Sequence, residues 1–123
     1  MPDTQKSILI AEDEKAIGHA LELKLTAAGF NVVMAGNGAE AQKHLSQQTF
    51  DLILTDLVMP EMDGFTLLQW MKDNNITTQT MVLTNLSQET DREKATAFGA
   101  IGFFVKSEVP IATIVEEVQK VLA

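Results

Sequence analysis

Short apolar runs alternate along this chain with stretches whose apolar residues recur at helical spacing. Residues 7–11 (SILIA), 31–35 (NVVMA), 52–55 (LILT), 80–84 (TMVLT) and 102–105 (GFFV) are β-branched or apolar runs of strand length. Few polar residues alternate within them, as expected of strands covered on both faces. Between the first two runs, Ile17, Leu21, Leu25 and Ala28 predict a helix that Gly29 stops. A turn at Gly36-Asn37-Gly38 precedes a second helix over residues 39–47, with Ala41 and Leu45 inward. Asp63-Gly64 is a turn pair that can also cap a helix. It leads into a third helix over residues 65–73, with Phe65, Leu68 and Met71 or Lys72 on one side, ended by Asp73-Asn74-Asn75. A fourth helix falls within residues 89–98, with Gly99 as its stop. Thr90 and Glu93 have the spacing of a capping box there, with Ser87 as the competing cap. Pro110 suits the first turn of a fifth helix. Its stripe of Ile111, Ile114, Val115, Val118, Val121 and Leu122 is the cleanest in the chain.

Five strand–helix units in succession predict an α/β fold with a parallel sheet and helices on both faces. At 123 residues, with 46% of them hydrophobic, the expectation is one domain spanning residues 1–123 with a real core. A net charge of −8 argues against direct nucleic-acid binding. No cysteine is present, which leaves no disulfide and no thiolate chemistry. The start, MPDTQKS, lacks an apolar signal core, and no apolar stretch approaches membrane-span length. A cytoplasmic protein with no membrane association is the expectation.

The residues that end the strands carry the chemistry. The first strand runs into Glu12-Asp13-Glu14, the third delivers Asp56, the fourth ends on Thr84 and the fifth runs into Lys106. In a parallel sheet these carboxyl ends share one edge, where ligands bind in open α/β folds. Taken singly, each has a plain structural reading. Asp56 could cap a strand or helix, and Glu12 and Asp13 could sit favourably at a helix N-terminus. Thr84 could simply finish a strand, and Lys106 could be a solvated strand end. Their joint occurrence at four matched strand ends points elsewhere. Clustered carboxylates repel unless a cation joins them. An oxygen-only set without cysteine or nearby histidine suits Mg²⁺ rather than zinc. A carboxylate flanked by a metal site, a lysine and a hydroxyl makes a phosphoryl-transfer centre with that carboxylate as nucleophile.

Five segments, SILIAEDE, FNVVMAGNGAEA, DLILTDLVMPEMDG, MVLT and GAIGFFVK, carry a resemblance along the whole length. The chain resembles the receiver domain of two-component response regulators, and the third segment is the most specific. The resemblance implies a flavodoxin-like, doubly wound (βα)5 fold with strand order 2-1-3-4-5. It implies Asp56 as phosphoacceptor, and Glu12, Asp13, Asp56 and the Val58 backbone carbonyl as Mg²⁺ ligands. Thr84 becomes the switch hydroxyl, Lys106 the site lysine and Phe103 the switch aromatic, although Phe103 also reads as a core residue that Phe104 could replace. The implied partners are a sensor histidine kinase or phosphotransfer protein, and a downstream protein or output domain. The implied chemistry is the domain's own phosphorylation and dephosphorylation, not turnover of a substrate. Phosphorylation would switch the surface of the fourth helix, fifth strand and fifth helix.

Three departures matter. Ser107 follows Lys106, where the family usually has a proline, often after a cis bond; with serine the trans form is expected. Asn85 follows Thr84 where a smaller residue is common, and its amide could bond or crowd the phosphoryl group. Val58 and Leu86, two beyond Asp56 and Thr84, are apolar, so a comparatively long-lived phosphoryl group is expected. The rival readings are a phosphorylation-independent interaction module, an aspartate-based phosphatase and an FMN carrier. The second wants an acid where Val58 stands. The third wants a Ser/Thr/Gly-rich loop where Glu12-Asp13-Glu14 stands. Trp70 reads as a partly exposed structural residue.

Overall fold

The computed structural model describes residues 5–123. The reading of the first seven residues as lacking a signal core therefore falls largely outside the described residues. Five strands and five helices alternate: β1 Ser7–Ala11, α1 Lys15–Ala27, β2 Asn31–Ala35, α2 Gly38–Gln47, β3 Leu52–Thr55, α3 Gly64–Asp73, β4 Gln79–Thr84, α4 Glu89–Ala97, β5 Ala100–Val105 and α5 Ile111–Val121. The strands form one parallel sheet in the order β2-β1-β3-β4-β5. This is the expected doubly wound, flavodoxin-like order.

Alternation along the strands divides the core. Ile8 and Ile10 of β1, Leu52 and Leu54 of β3, and Met81 and Leu83 of β4 face one way, against Leu21 and Leu25 of α1 and Ile114 and Val118 of α5. Leu9, Ala11 and Ile53 face the other way, against Ala41 and Leu45 of α2 and Leu67, Leu68 and Met71 of α3. Val82 continues that second face against Ala95 of α4, with Phe103 of β5 packed beside them. The central strands are thus buried on both faces, which explains why their sequences are nearly unbroken apolar runs.

Several local expectations need correction. Thr90 does not cap α4. It lies inside the helix, whose N-cap is Gln88 with no side-chain hydrogen bond, and Ser87 stands one residue too early. The acids Glu89 and Asp91 in the first turn offset the helix dipole instead. On α3 the buried face is Gly64, Leu67, Leu68 and Met71, while Lys72 is exposed and Phe65 only half-buried. The helix has two neighbours: Leu67 and Leu68 meet the α2 side, whereas Phe65 turns to α4, its ring 6.4 Å from that of Phe98. Pro110 occupies the N-cap of α5, one position before the first turn. A register irregularity between β4 and β5 pairs Thr80 with Ala100 and Met81 with Gly102, and the skipped residue, Ile101, is turned out to solvent. Helices α1 and α4 end just ahead of Gly29 and Gly99, as read.

Candidate functional site

Strand register builds the site. Ala11 of β1 pairs with Thr55 of β3, so the next residues, Glu12 and Asp56, emerge side by side at the point where strand order reverses. Backbone bonds fix both: the Asp56 N–H donates to the Ala11 carbonyl and the Glu12 N–H to the Ala35 carbonyl, each at 2.9 Å. Thr84 of β4 pairs with Val105 of β5, and the Lys106 N–H donates to the Thr84 carbonyl at 2.8 Å. Lys106 thus starts above β5, and its long side chain lies over the end of β4 to reach β3 and β1.

The loop after Asp56 is drawn tightly under it. The Leu57 and Val58 N–H groups donate to Asp56 Oδ1 at 2.6 and 3.2 Å. The Gly64 N–H closes the loop on the Leu57 carbonyl at 3.0 Å, and Asp63 caps α3 by accepting from the Thr66 N–H at 2.8 Å. A side chain at position 64 would overlap the Asp56 carbonyl, so only glycine lets α3 start this close to the site. The sequence pair Asp63-Gly64 therefore acts as read.

Lys106 Nζ contacts three acids: Asp56 Oδ2 at 2.7 Å, the nearer oxygen of Glu12 at 2.8 Å and Glu14 Oε1 at 2.8 Å. Burial alone would lower the Lys106 pKa. Its hydrogen bonds to Asp56, Glu12 and Glu14 outweigh burial and hold the ammonium above the ordinary lysine range. For Glu12 burial wins. Lys106 and the Glu14 N–H favour its charge, yet desolvation, aided by the nearby Asp56 charge, leaves its pKa raised.

Glu12, Asp13 and Asp56 each place a carboxylate oxygen within 4.8 Å of the others'. Glu12 and Asp56 are buried and Asp13 is exposed, so the cluster opens to solvent on one side. Three carboxylates against one lysine leave excess negative charge, and the donors are all hard oxygens. This set fits a small divalent cation such as Mg²⁺.

The remaining expected residues surround this centre. Thr84 is fully buried, and its hydroxyl accepts from the Leu86 N–H at 3.3 Å. Asn85 is exposed, Leu86 half-buried, and the Val58 side chain exposed. Phe103 and Phe104 do not compete for one place. Phe103 lies on the α4 face under the Arg92 guanidinium, 4.8 Å from its ring centroid, and Phe104 packs on the opposite face. Among the described residues no peptide bond is cis, so Lys106–Ser107 is trans as expected. Trp70 is half-buried. Glu14 is the contact that sequence reading missed; in the sequence it is only the third of three consecutive acids.

Among the described residues, no helix is long and apolar enough to cross a membrane. A family model described as the response regulator receiver domain matches residues 8–119. The probable transcriptional regulator ycf27 of Guillardia theta is 33% identical over 109 residues, covering 88% of this chain and 42% of that protein. The chain spans about half the length, or less, of the curated relatives it matches. The receiver domain of Francisella response regulator 1452 shares the fold, with a TM-score of 0.89 at 24% identity over 96% of this chain and 97% of that one. The signal receiver domain of a signal transduction histidine kinase from Syntrophus aciditrophicus is 33% identical, with a TM-score of 0.83 over 95% of this chain and 89% of that one. The chain belongs to the family of response regulator receiver domains.

Proposed function

We propose that this receiver domain, spanning residues 1–123, takes a phosphoryl group onto Asp56 from the phosphohistidine of a sensor kinase or phosphotransfer protein. The observation that carries this is Asp56 itself. It is a buried carboxylate at a strand end, 2.7 Å from a lysine and clustered with two further acids. In the step, a carboxylate oxygen of Asp56 forms the new P–O bond as the P–N bond breaks. The electron pair of that bond stays on the imidazole, which takes a proton from solvent. Glu12, Asp13, Asp56 and the Val58 carbonyl would hold Mg²⁺, which supplies positive charge against the equatorial phosphoryl oxygens. Lys106 supplies a second positive charge, and the Leu57 and Val58 N–H groups hold the carboxylate for in-line attack.

Thr84 ends β4, the strand beside β3, which leads into Asp56. To bond the phosphoryl group the Thr84 hydroxyl leaves the Leu86 N–H, and Phe103 then moves into the space it vacates. Arg92 sits on Phe103, so this motion is felt on the α4–β5–α5 surface. That surface would address a downstream protein or an output domain, as the transcriptional regulators among the relatives suggest. The domain would act in the cytoplasm, where kinases draw on ATP. It would act on itself and turn over no separate substrate.

Mass spectrometry after treatment with acetyl phosphate and Mg²⁺ tests this reading. Wild type should gain one phosphoryl group, and Asp56→Asn none. An unlabelled wild type would leave a phosphorylation-independent interaction module. Exposed Val58 and half-buried Leu86 offer no polar group to orient an attacking water, so the label should persist. Val58→Asn should shorten its lifetime severalfold when decay is followed after removing acetyl phosphate; equal decay in the two proteins would refute the assignment.

A further inference from the structure

We propose that Glu14 is a positioning residue that competes with the incoming phosphoryl group for the ammonium of Lys106. A lysine ammonium has three donors. In this structure each faces an acid: Asp56, Glu12 and Glu14. While Asp56 is still a free carboxylate, no donor is left for an incoming phosphoryl oxygen, so one contact must open as that oxygen approaches. Burial decides which. The side chains of Glu12 and Asp56 are 2% and 5% exposed, and that of Glu14 is 47% exposed. Breaking a buried pair strands a charge away from water, whereas Glu14 returns to solvent at little cost.

The local backbone is arranged for this contact. Glu14 occupies the N-cap of α1, yet its side chain makes no capping bond and reaches Lys106 instead, 92 residues away in sequence. Its own N–H donates to Glu12 Oε2 at 2.9 Å, which anchors the base of the side chain to the same cluster. Glu14 thus holds one ammonium donor in reserve, and adds negative charge at the mouth through which a phosphoryl dianion arrives. Both effects slow phosphorylation.

The inference rests on Asp56 being the phosphoacceptor, and the experiment separates the two. Wild type, Glu14→Gln and Glu116→Gln are labelled with acetyl phosphate under identical Mg²⁺. Glu116 is exposed on α5 and carries the same charge change outside the site. Glu14→Gln should label faster by roughly 1.4-fold to fivefold, the factor an exposed ion pair is worth, while Glu116→Gln matches wild type. The Lys106 ammonium resonance is then followed by NMR. In the unmodified protein, Glu14→Gln should speed its proton exchange. A Glu14→Gln rate equal to wild type or an unchanged ammonium signal would each overturn the inference. Failure of wild type to label would instead overturn the phosphoacceptor reading. Thermal melting of Glu14→Gln close to wild type excludes misfolding as the cause.

Discussion

Glu12 shows at the scale of one residue how the site strains the fold that holds it. Burial raises its pKa above the unfolded value even with Lys106 beside it. An acid with a raised folded-state pKa favours folding only while it is protonated. Its contribution is fully present below the unfolded value near 4.5 and is lost as pH rises through the folded-state value. Gln copies the neutral form and can still accept from the Glu14 N–H. Metal-free Glu12→Gln should therefore be more stable than wild type at pH 7, with the gain vanishing towards pH 4. Urea unfolding across that range measures it, and a constant offset at all pH values would show that the charge is not the cause. The other strand-end residues were legible because a buried parallel strand has one exit, and the residue after it must stand at the carboxyl edge. Glu14 was not legible. A residue at a helix N-cap can point along the helix or away from it, and only the position of Lys106, far along the chain, decides the direction.

At the scale of elements, α4 is held least firmly. It buries only Ala95 and starts without a side-chain cap. Two cation–aromatic contacts tie it down: Arg92 over Phe103 of β5 at 4.8 Å, and Lys94 over Phe65 of α3 at 4.3 Å. Each such exposed contact is worth about 0.5–1 kcal/mol. Amides of α4 should exchange with solvent faster than those of α1 and α5, through local opening. Arg92→Ala should speed α4 exchange further and shift the Phe103 ring resonances, while global stability falls by no more than about 1 kcal/mol. If α4 exchange stays put in that variant, or the whole domain loosens equally, the contact is not what restrains the helix. These same contacts explain where the reading of elements went astray. Apolar periodicity gives one stripe per helix, but α3 serves two neighbours, so Phe65 leaves the core stripe for α4. The Thr90–Glu93 spacing fits a capping box, yet the helix begins earlier, where first-turn acids suffice.

For the whole molecule, the order of strands was legible through resemblance, and the two-faced core through patterning alone. What neither specifies is how the acidic centre affects the stability of the domain around it. Glu12, Asp13 and Asp56 come together only in the folded state, because β1 and β3 are joined there in register. A divalent ion bound by all three therefore binds the native chain and not the unfolded one. Mg²⁺ at about a hundred times its dissociation constant should then stabilise the domain by roughly 2.7 kcal/mol, or about 10 °C in melting temperature for a domain of this size. Simple screening must be separated from binding, since the chain carries a net charge of −8. Sodium chloride at matched ionic strength supplies that control and should move the melting temperature much less. Asp13→Asn supplies the second. Asp13 is exposed, so the metal-free variant should melt close to wild type but lose most of the Mg²⁺ shift. A variant that keeps the full shift would place the ion elsewhere on this acidic surface. A shift that sodium reproduces would mean that the centre binds no divalent ion specifically, leaving Lys106 as the cation paired with Glu12 and Asp56.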